Sequence, residues 1–228
     1  MATSPGPAAA YKDLCIDAVD AQVLGRFWAG VLGLDPAPPR DDGVVCLAGP
    51  TPQHTVWVNP VPEPVSVKQR VHLDVHAGSV EDVLALGARP LDLTSFRWQV
   101  LADPAGGELC TFERAEVPSY RLYEIVLDST DPEPVARWWA EMLGGSLVSD
   151  DPEEWAVEEI PGAPFECLVF GRVPEPKTVK NRIHLDVTTD DVERLVAAGA
   201  TVLRRPGGDI GWTVLTDPDG NEFCAFGG

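Results

Sequence analysis

In "RIHLDVT" (182–188), Ile183, Leu185 and Val187 alternate with His184, Asp186 and Thr188. A period of two is the pattern of a strand with one apolar and one polar face. The same alternation marks "NEFCAF" (221–226), where Phe223 and Ala225 oppose Glu222, Cys224 and Phe226. In "YEIVLD" (123–128), Ile125 and Leu127 oppose Glu124, Val126 and Asp128. Between such strands the period lengthens. Val135, Trp138, Trp139 and Met142 recur at the spacing of one helical face, as do Leu24, Phe27, Trp28 and Val31. A helix is therefore predicted over 132–145, with Asp131 as N-cap, Pro132 at its first position and Gly144 or Gly145 at its end. A second is predicted over 191–200, with Val192, Leu195 and Val196 on one face and Gly199 at its end. Strands are predicted at 155–160, 165–173 and 212–216, the last joined to 221–226 by the turn "DPDG". The aromatic stripes at helical spacing read as core.

The pattern repeats. "PEPVSVKQRVHLDV" (62–75) aligns without gaps to "PEPKTVKNRIHLDV" (174–187), identical at ten of fourteen positions. "WQVLADPAGGELCTFE" (98–113) matches "WTVLTDPDGNEFCAFG" (212–227), and "RFWAGVLG" (26–33) matches "RWWAEMLG" (137–144). The offsets are nearly constant, so the chain reads as two copies of one domain, 11–115 and 120–228. Each copy divides again into two β-α-β-β-β modules, at 11–61 and 68–115, then 120–173 and 180–228. The fold class is α+β, a tandem duplicated domain. Residues 1–10 are expected to form a disordered leader.

Composition changes the picture in one respect. The net charge of −19 repels nucleic acid and anionic membranes, and it reads either as a solubility or salt-tolerance adaptation or as a preference for cationic partners. No stretch reads as a signal peptide or a membrane span. The five cysteines contain no CxxC pair, which fits reduced thiols in the cytoplasm. His54 and His76 read as surface residues.

The ordered signatures "FWAGVLG", "HLDV", "LALGA" and "DPAGGELCTF", then "WWAEMLG", "HLDV", "VAAGA" and "DPDGNEFCAF", resemble the vicinal oxygen chelate superfamily. That group includes glyoxalase I, extradiol dioxygenases and bleomycin-resistance proteins, and the nearest subgroup is the actinobacterial glyoxalase-like domains. The resemblance implies paired modules whose mixed sheets curl into a cup, with helices on the convex face and a ligand inside. The cup-facing candidates in copy two are Glu124, Asp128, His184, Asp186, Trp212, Glu222, Cys224 and Phe226. In copy one they are Asp13, Cys15, Asp17, His72, Asp74, Trp98, Glu108, Cys110 and Phe112.

Metal-dependent members carry His or Gln in the opening strands and Glu four residues after the Gly of "DPxG". His72 and His184 fall on a ligand position. Cys110 and Cys224 stand where glutamate is expected. The expectation is therefore a cup without the family's metal and with no cofactor, binding a small cationic or aromatic molecule in a monomer or homodimer. The alternative is a lyase or isomerase of glyoxalase type. It would use a His/carboxylate acid–base pair, or a divalent metal held by His184, Glu124, Glu222 and Cys224.

Overall fold

The computed structural model describes residues 6–228. Each module opens on a strand, turns through a helix and returns as a three-stranded meander. The first runs β1 (Ala10–Ala18), α1 (Ala21–Leu32), β2 (Asp35–Pro36), β3 (Val45–Ala48) and β4 (Val56–Pro60). The second runs β5 (Val71–Ala77), α2 (Val80–Ala85), β6 (Arg89–Asp92), β7 (Gln99–Ala102) and β8 (Glu108–Glu113). The third runs β9 (Leu122–Ser129), α3 (Pro132–Leu143), β10 (Ser146–Asp151), β11 (Glu154–Glu158) and β12 (Cys167–Arg172). The fourth runs β13 (Ile183–Thr189), α4 (Val192–Ala197), β14 (Thr201–Arg204), β15 (Thr213–Thr216) and β16 (Glu222–Gly227).

Two open eight-stranded mixed sheets result, ordered β14-β15-β16-β13-β1-β4-β3-β2 and β10-β11-β12-β9-β5-β8-β7-β6. Opening and closing strands run parallel in β1–β4, β5–β8 and β13–β16. The helix is the crossover that a parallel pair requires. The chain forms two compact units. One holds residues 13–126 with 181–183, and the other 1–12 with 127–180 and 184–228, so the division falls inside β1, β9 and β13.

In the first unit, α1 turns Leu24, Phe27, Trp28 and Leu32 inward against β3 and β4, and Leu14, Leu47, Val56 and Val58 are buried in the same unit. In the other, α3 buries Val135, Trp138, Trp139 and Met142, the stripe predicted from spacing. Phe223 meets both indoles, at 5.8 Å from Trp138 and 5.3 Å from Trp139. The apolar face of β16 therefore points at the helix, as the alternation implied.

Two expectations need correction. Asp131 occupies the N-cap position of α3 but makes no side-chain cap bond. Its carboxylate lies 3.5 Å from Arg172 instead, and Pro132 at the first position already removes one of the amide protons a cap would serve. Asp20 does cap α1, accepting from the Val23 N–H at 2.9 Å. The second correction concerns the leader. Residues 1–5 of that stretch lie outside the described residues, but 6–10 are anchored. Ala8 and Ala9 are buried. The Ala9 N–H donates to Met142 O at 3.0 Å, Thr189 Oγ1 to Ala8 O at 2.7 Å, and Arg194 to the carbonyls of Gly6 and Pro7.

α1 ends on Gly33, whose φ of 70° is left-handed. A Cβ there would stand 2.2 Å from the Ser119 carbonyl oxygen, a backbone atom that cannot rotate away. Gly220 has a similar φ of 85° with nothing near its missing Cβ. We expect Gly220→Ala to cost only the conformational penalty of about 1–2 kcal/mol. Gly33→Ala should cost clearly more, because the clash adds to the same penalty. Urea denaturation of the two variants checks the order, and equal midpoints would refute the steric argument.

Candidate functional site

The opening and closing strands of a module lie side by side and parallel, so their polar faces form one surface. In copy one, Asp74 of β5 pairs in register with Cys110 of β8, and His76 with Phe112. In copy two, Asp186 of β13 pairs with Cys224 of β16, and Thr188 with Phe226. The repeat thus places the same triad, His–Asp–Cys, on both surfaces.

In both copies the histidine lies beside its aspartate. His72 Nε2 lies 3.4 Å from Asp74 Oδ1, and His184 Nε2 lies 3.4 Å from Asp186 Oδ1. His184 Nε2 is also 3.6 Å from Cys224 Sγ. In copy one the donor atoms of His72, Asp74 and Cys110 all lie within 4.8 Å of one another. Asp74 and Asp186 are 5 % and 3 % exposed, inside strands, where aspartate is disfavoured. A buried carboxylate needs a compensating partner, and the neighbouring imidazole supplies one in each copy. Burial pushes the Cys110 thiol far above its ordinary range, and the charge and hydrogen bond of Asp74 push it the same way. Alone, this thiol is therefore protonated at neutral pH.

One pleat further along, the sheet face of β9, β5 and β8 carries a row of aromatic rings, with Tyr123 supplied by copy two. His76 meets Tyr123 at 4.6 Å, Tyr123 meets Phe112 at 5.1 Å, and Phe112 stacks on Trp98 at 5.5 Å. Phe96 continues the stack on Trp98 at 5.1 Å, with an interplanar angle of 8°. Arg114 lies over Phe112 and Tyr123. The face of β16, β13 and β1 has a shorter row. Trp212 stacks on Phe226 at 5.2 Å, and the Lys12 ammonium sits 4.3 Å over the Phe226 ring.

The remaining candidates are placed as follows. Glu222 accepts from Lys177 Nζ at 2.8 Å, both side chains largely buried, while Glu108 lies 3.6 Å from the more exposed Lys68. Of the four-residue metal set, His184 and Cys224 do meet, whereas Glu222 is engaged by lysine. Glu124 is half-buried on β9 and Asp128 buried there. Asp13, Cys15 and Asp17 are buried on β1. Asp13 accepts from the Trp57 indole N–H at 3.0 Å, and the Asp17 amide donates to Arg182 O at 2.7 Å.

His76 corrects the surface reading. It is half-buried and part of the aromatic row, and the period of two, continued from His72 and Asp74, places it there. His54 is also half-buried, edge-on to Tyr120 at 4.6 Å, and its basicity is lowered by burial. Tyr123, Phe96, Lys12 and Lys177 were not singled out from sequence. Tyr123 and Lys12 occupy equivalent places in the two copies, a signal the repeat offset of 111 contains.

The donor chemistry tests the metal that the resemblance implies. With zinc bonds to nitrogen, oxygen and sulfur, the edges of a tetrahedral site measure about 3.3 Å for N–O and about 3.6 Å for N–S. The His72–Asp74 separation of 3.4 Å in copy one and the His184–Cys224 separation of 3.6 Å in copy two are close to such edges. The set fits a borderline-soft ion. Bound there, such an ion would supply Lewis-acid polarisation of a ligand oxygen.

The family model for the glyoxalase-like domain matches residues 13–112 and again 124–226. The chain belongs to the glyoxalase-like domain family, as a tandem duplicate with the vicinal oxygen chelate fold. Among solved structures it is similar to glyoxalase I from Zea mays, at 17 % identity and a TM-score of 0.68, covering 95 % of this chain and 92 % of that one. It is similar also to a putative dioxygenase from Bacillus subtilis, at 15 % identity and a TM-score of 0.67, covering 98 % and 86 %. At these identities the likeness is one of fold. No curated protein matches the chain by sequence.

Proposed function

We propose that this protein binds a small organic molecule on the polar sheet face formed by β9, β5 and β8. The observation that carries the reading is the adjacency in register of the His72–Asp74–Cys110 cluster and the row His76–Phe112–Trp98–Tyr123. The rings offer apolar area, and the cluster offers a few fixed polar groups, which is the composition of a small-molecule site. The half-exposed rings favour a planar aromatic ligand, and the net acidity favours one without negative charge. Binding of this kind needs no cofactor. Five free cysteines support a reducing, cytoplasmic setting, and no helix among the described residues is long and apolar enough to cross a membrane.

A thermal-shift screen of neutral and cationic aromatic compounds tests the reading. A hit should lose at least about tenfold in affinity in His72→Ala, as expected when a hydrogen-bonding group in a largely buried site is removed. Absence of any hit, or hits indifferent to His72, would overturn it.

A second reading, a lyase or isomerase of glyoxalase type, is favoured by the 3.4 Å His72–Asp74 contact. There His72 would take a proton from a carbon next to a carbonyl, and Asp74 would stabilise the imidazolium formed. That reading expects deuterium exchange into a bound carbonyl compound, lost about 100-fold or more in His72→Ala.

A further inference from the structure

We infer that the first unit carries another ligand site, a cavity at the end of β5 beside α1 and α2, which takes a small aliphatic amino acid as its zwitterion. The inference goes beyond the proposed function and does not rest on it.

The cavity measures about 190 Å³. An apolar cavity of about 150 Å³ holds benzene, so the space suits a ligand on the order of six to nine non-hydrogen atoms. Its walls are aliphatic. Val31 comes from α1, Val83 from α2, Leu86 from just beyond α2, and Val117 from the joint between β8 and β9. Val31 and Val83 are buried, whereas Leu86 and Val117 are exposed and leave the cavity open to entry.

Two charged residues of opposite sign complete the lining, Arg121 and Asp82. Arg121 is held at the C-terminus of α1. Its Nη1 donates to Gly30 O at 2.8 Å and its backbone N–H to Leu32 O at 3.0 Å, while its own carbonyl accepts from the His76 N–H at 2.9 Å. The helix end carries about half a negative charge, which offsets only part of the guanidinium. Arg121 Nε is buried and has no hydrogen-bond partner among the described residues. Such an orphaned donor is rare in a native fold. A carboxylate engages an arginine fork better than any other ligand group. Asp82 supplies the other sign. Its Oδ2 lies 3.0 Å, and Val117 Cγ2 lies 3.7 Å, from the place a Cβ on Gly78 would occupy. The carboxylate thus sits beside the exposed wall.

Overall charge decides the ligand class. A lone anion would meet Asp82 and the field of a protein of net charge −19. A lone cation would leave Arg121 unanswered. A zwitterion is neutral overall, answers both groups, and places an aliphatic side chain against the four apolar walls.

The test is an amide NMR titration of the full chain with L-leucine. We expect shifts at Gly78, Val83 and Arg121, and a dissociation constant below about 5 mM, reasonable for so small a ligand. Isovalerate lacks the ammonium and isoamylamine lacks the carboxylate, and each should bind at least about tenfold more weakly. Arg121→Gln and Asp82→Asn should each weaken leucine at least about tenfold, and Val117→Trp, which fills the cavity, should abolish binding. Arg121 also anchors α1, so urea midpoints separate loss of the site from loss of the fold. Asp82→Asn keeps the test decisive if Arg121→Gln unfolds, because Asp82 has no side-chain partner among the described residues. No shifts at those amides up to about 50 mM leucine, isovalerate binding as tightly as leucine, or binding indifferent to Asp82→Asn overturns the inference. Shifts confined to the Trp98 indole overturn it too, by placing leucine on the aromatic row.

Discussion

Replacing Trp139 by alanine is expected to destabilise the chain by about 3–5 kcal/mol, the cost of removing a large buried aromatic. Trp139 is 2 % exposed. It packs edge-on against Trp138 and Phe223, so its removal opens a cavity between α3 and β16. It also donates its indole N–H to Asp217 Oδ2 at 3.0 Å. Asp217 is the aspartate of "DPDG" and is 2 % exposed. Asn221 donates to it from both its backbone N–H and its side-chain amide, and the Asp219 N–H donates as well. Burial nevertheless pushes the Asp217 carboxyl above its usual range, and these donors only partly offset that. The carboxylate therefore depends on every donor it has. Trp139→Phe keeps most of the packing and removes one donor from a buried charge. We expect it to cost about 1–3 kcal/mol. Copy one supplies the control. Trp28 and Asp103 hold the equivalent places, but the Trp28 indole N–H approaches Asp103 without reaching hydrogen-bond geometry. Trp28→Phe should thus cost less than Trp139→Phe. Urea midpoints of the paired variants read the difference, and the reverse order would refute the assignment of the Trp139–Asp217 bond.

The same pair shows what was legible in the sequence. Periodicity identified Trp139 and Trp28 as core, and the repeat placed both copies' strands, helices and polar faces. Alternation by two put His72 with Asp74, and His184 with Asp186, on common faces. It could not show that Asp74 meets Cys110, because that depends on the register of β5 against β8, two strands more than thirty residues apart. Nor could it value Cys110. Compared with a family pattern, the cysteine reads as the loss of a ligand. Placed beside His72 and Asp74, it joins a cluster whose donor atoms lie within 4.8 Å of one another. His76 was passed over because its counterpart, Thr188, is not aromatic, and a repeat draws the eye to what the copies share. Asp131 shows the opposite error, since a residue suited by type to cap a helix was drawn to Arg172 instead.

Those differences between copies lead to the second prediction. For an aromatic ligand found by thermal shift, Trp98→Ala should weaken binding at least about tenfold, while Trp212→Ala should change it less than about threefold. The reason is the length of the two rows. Trp98 lies between Phe96 and Phe112 and joins them into one stack. Phe96 presents its outer face to solvent, being 53 % exposed. Removing Trp98 deletes a ring and detaches Phe96 from the row, two aromatic contacts each worth about 0.5–1.5 kcal/mol. Among the described residues Trp212 has a single ring neighbour, Phe226, and the Lys12 ammonium already covers that ring. A further ring would have to displace the cation. The position equivalent to Lys12 is Tyr123 of copy two, on β9 beside β5, and it extends the aromatic surface instead. The duplicated fold therefore presents the same His–Asp pair twice, beside a broad aromatic surface on one sheet and a cation-capped one on the other. Isothermal titration of the two variants with the same compound separates the copies. A larger loss in Trp212→Ala would move the binding face to copy two, and equal losses would remove the distinction that the ring rows draw.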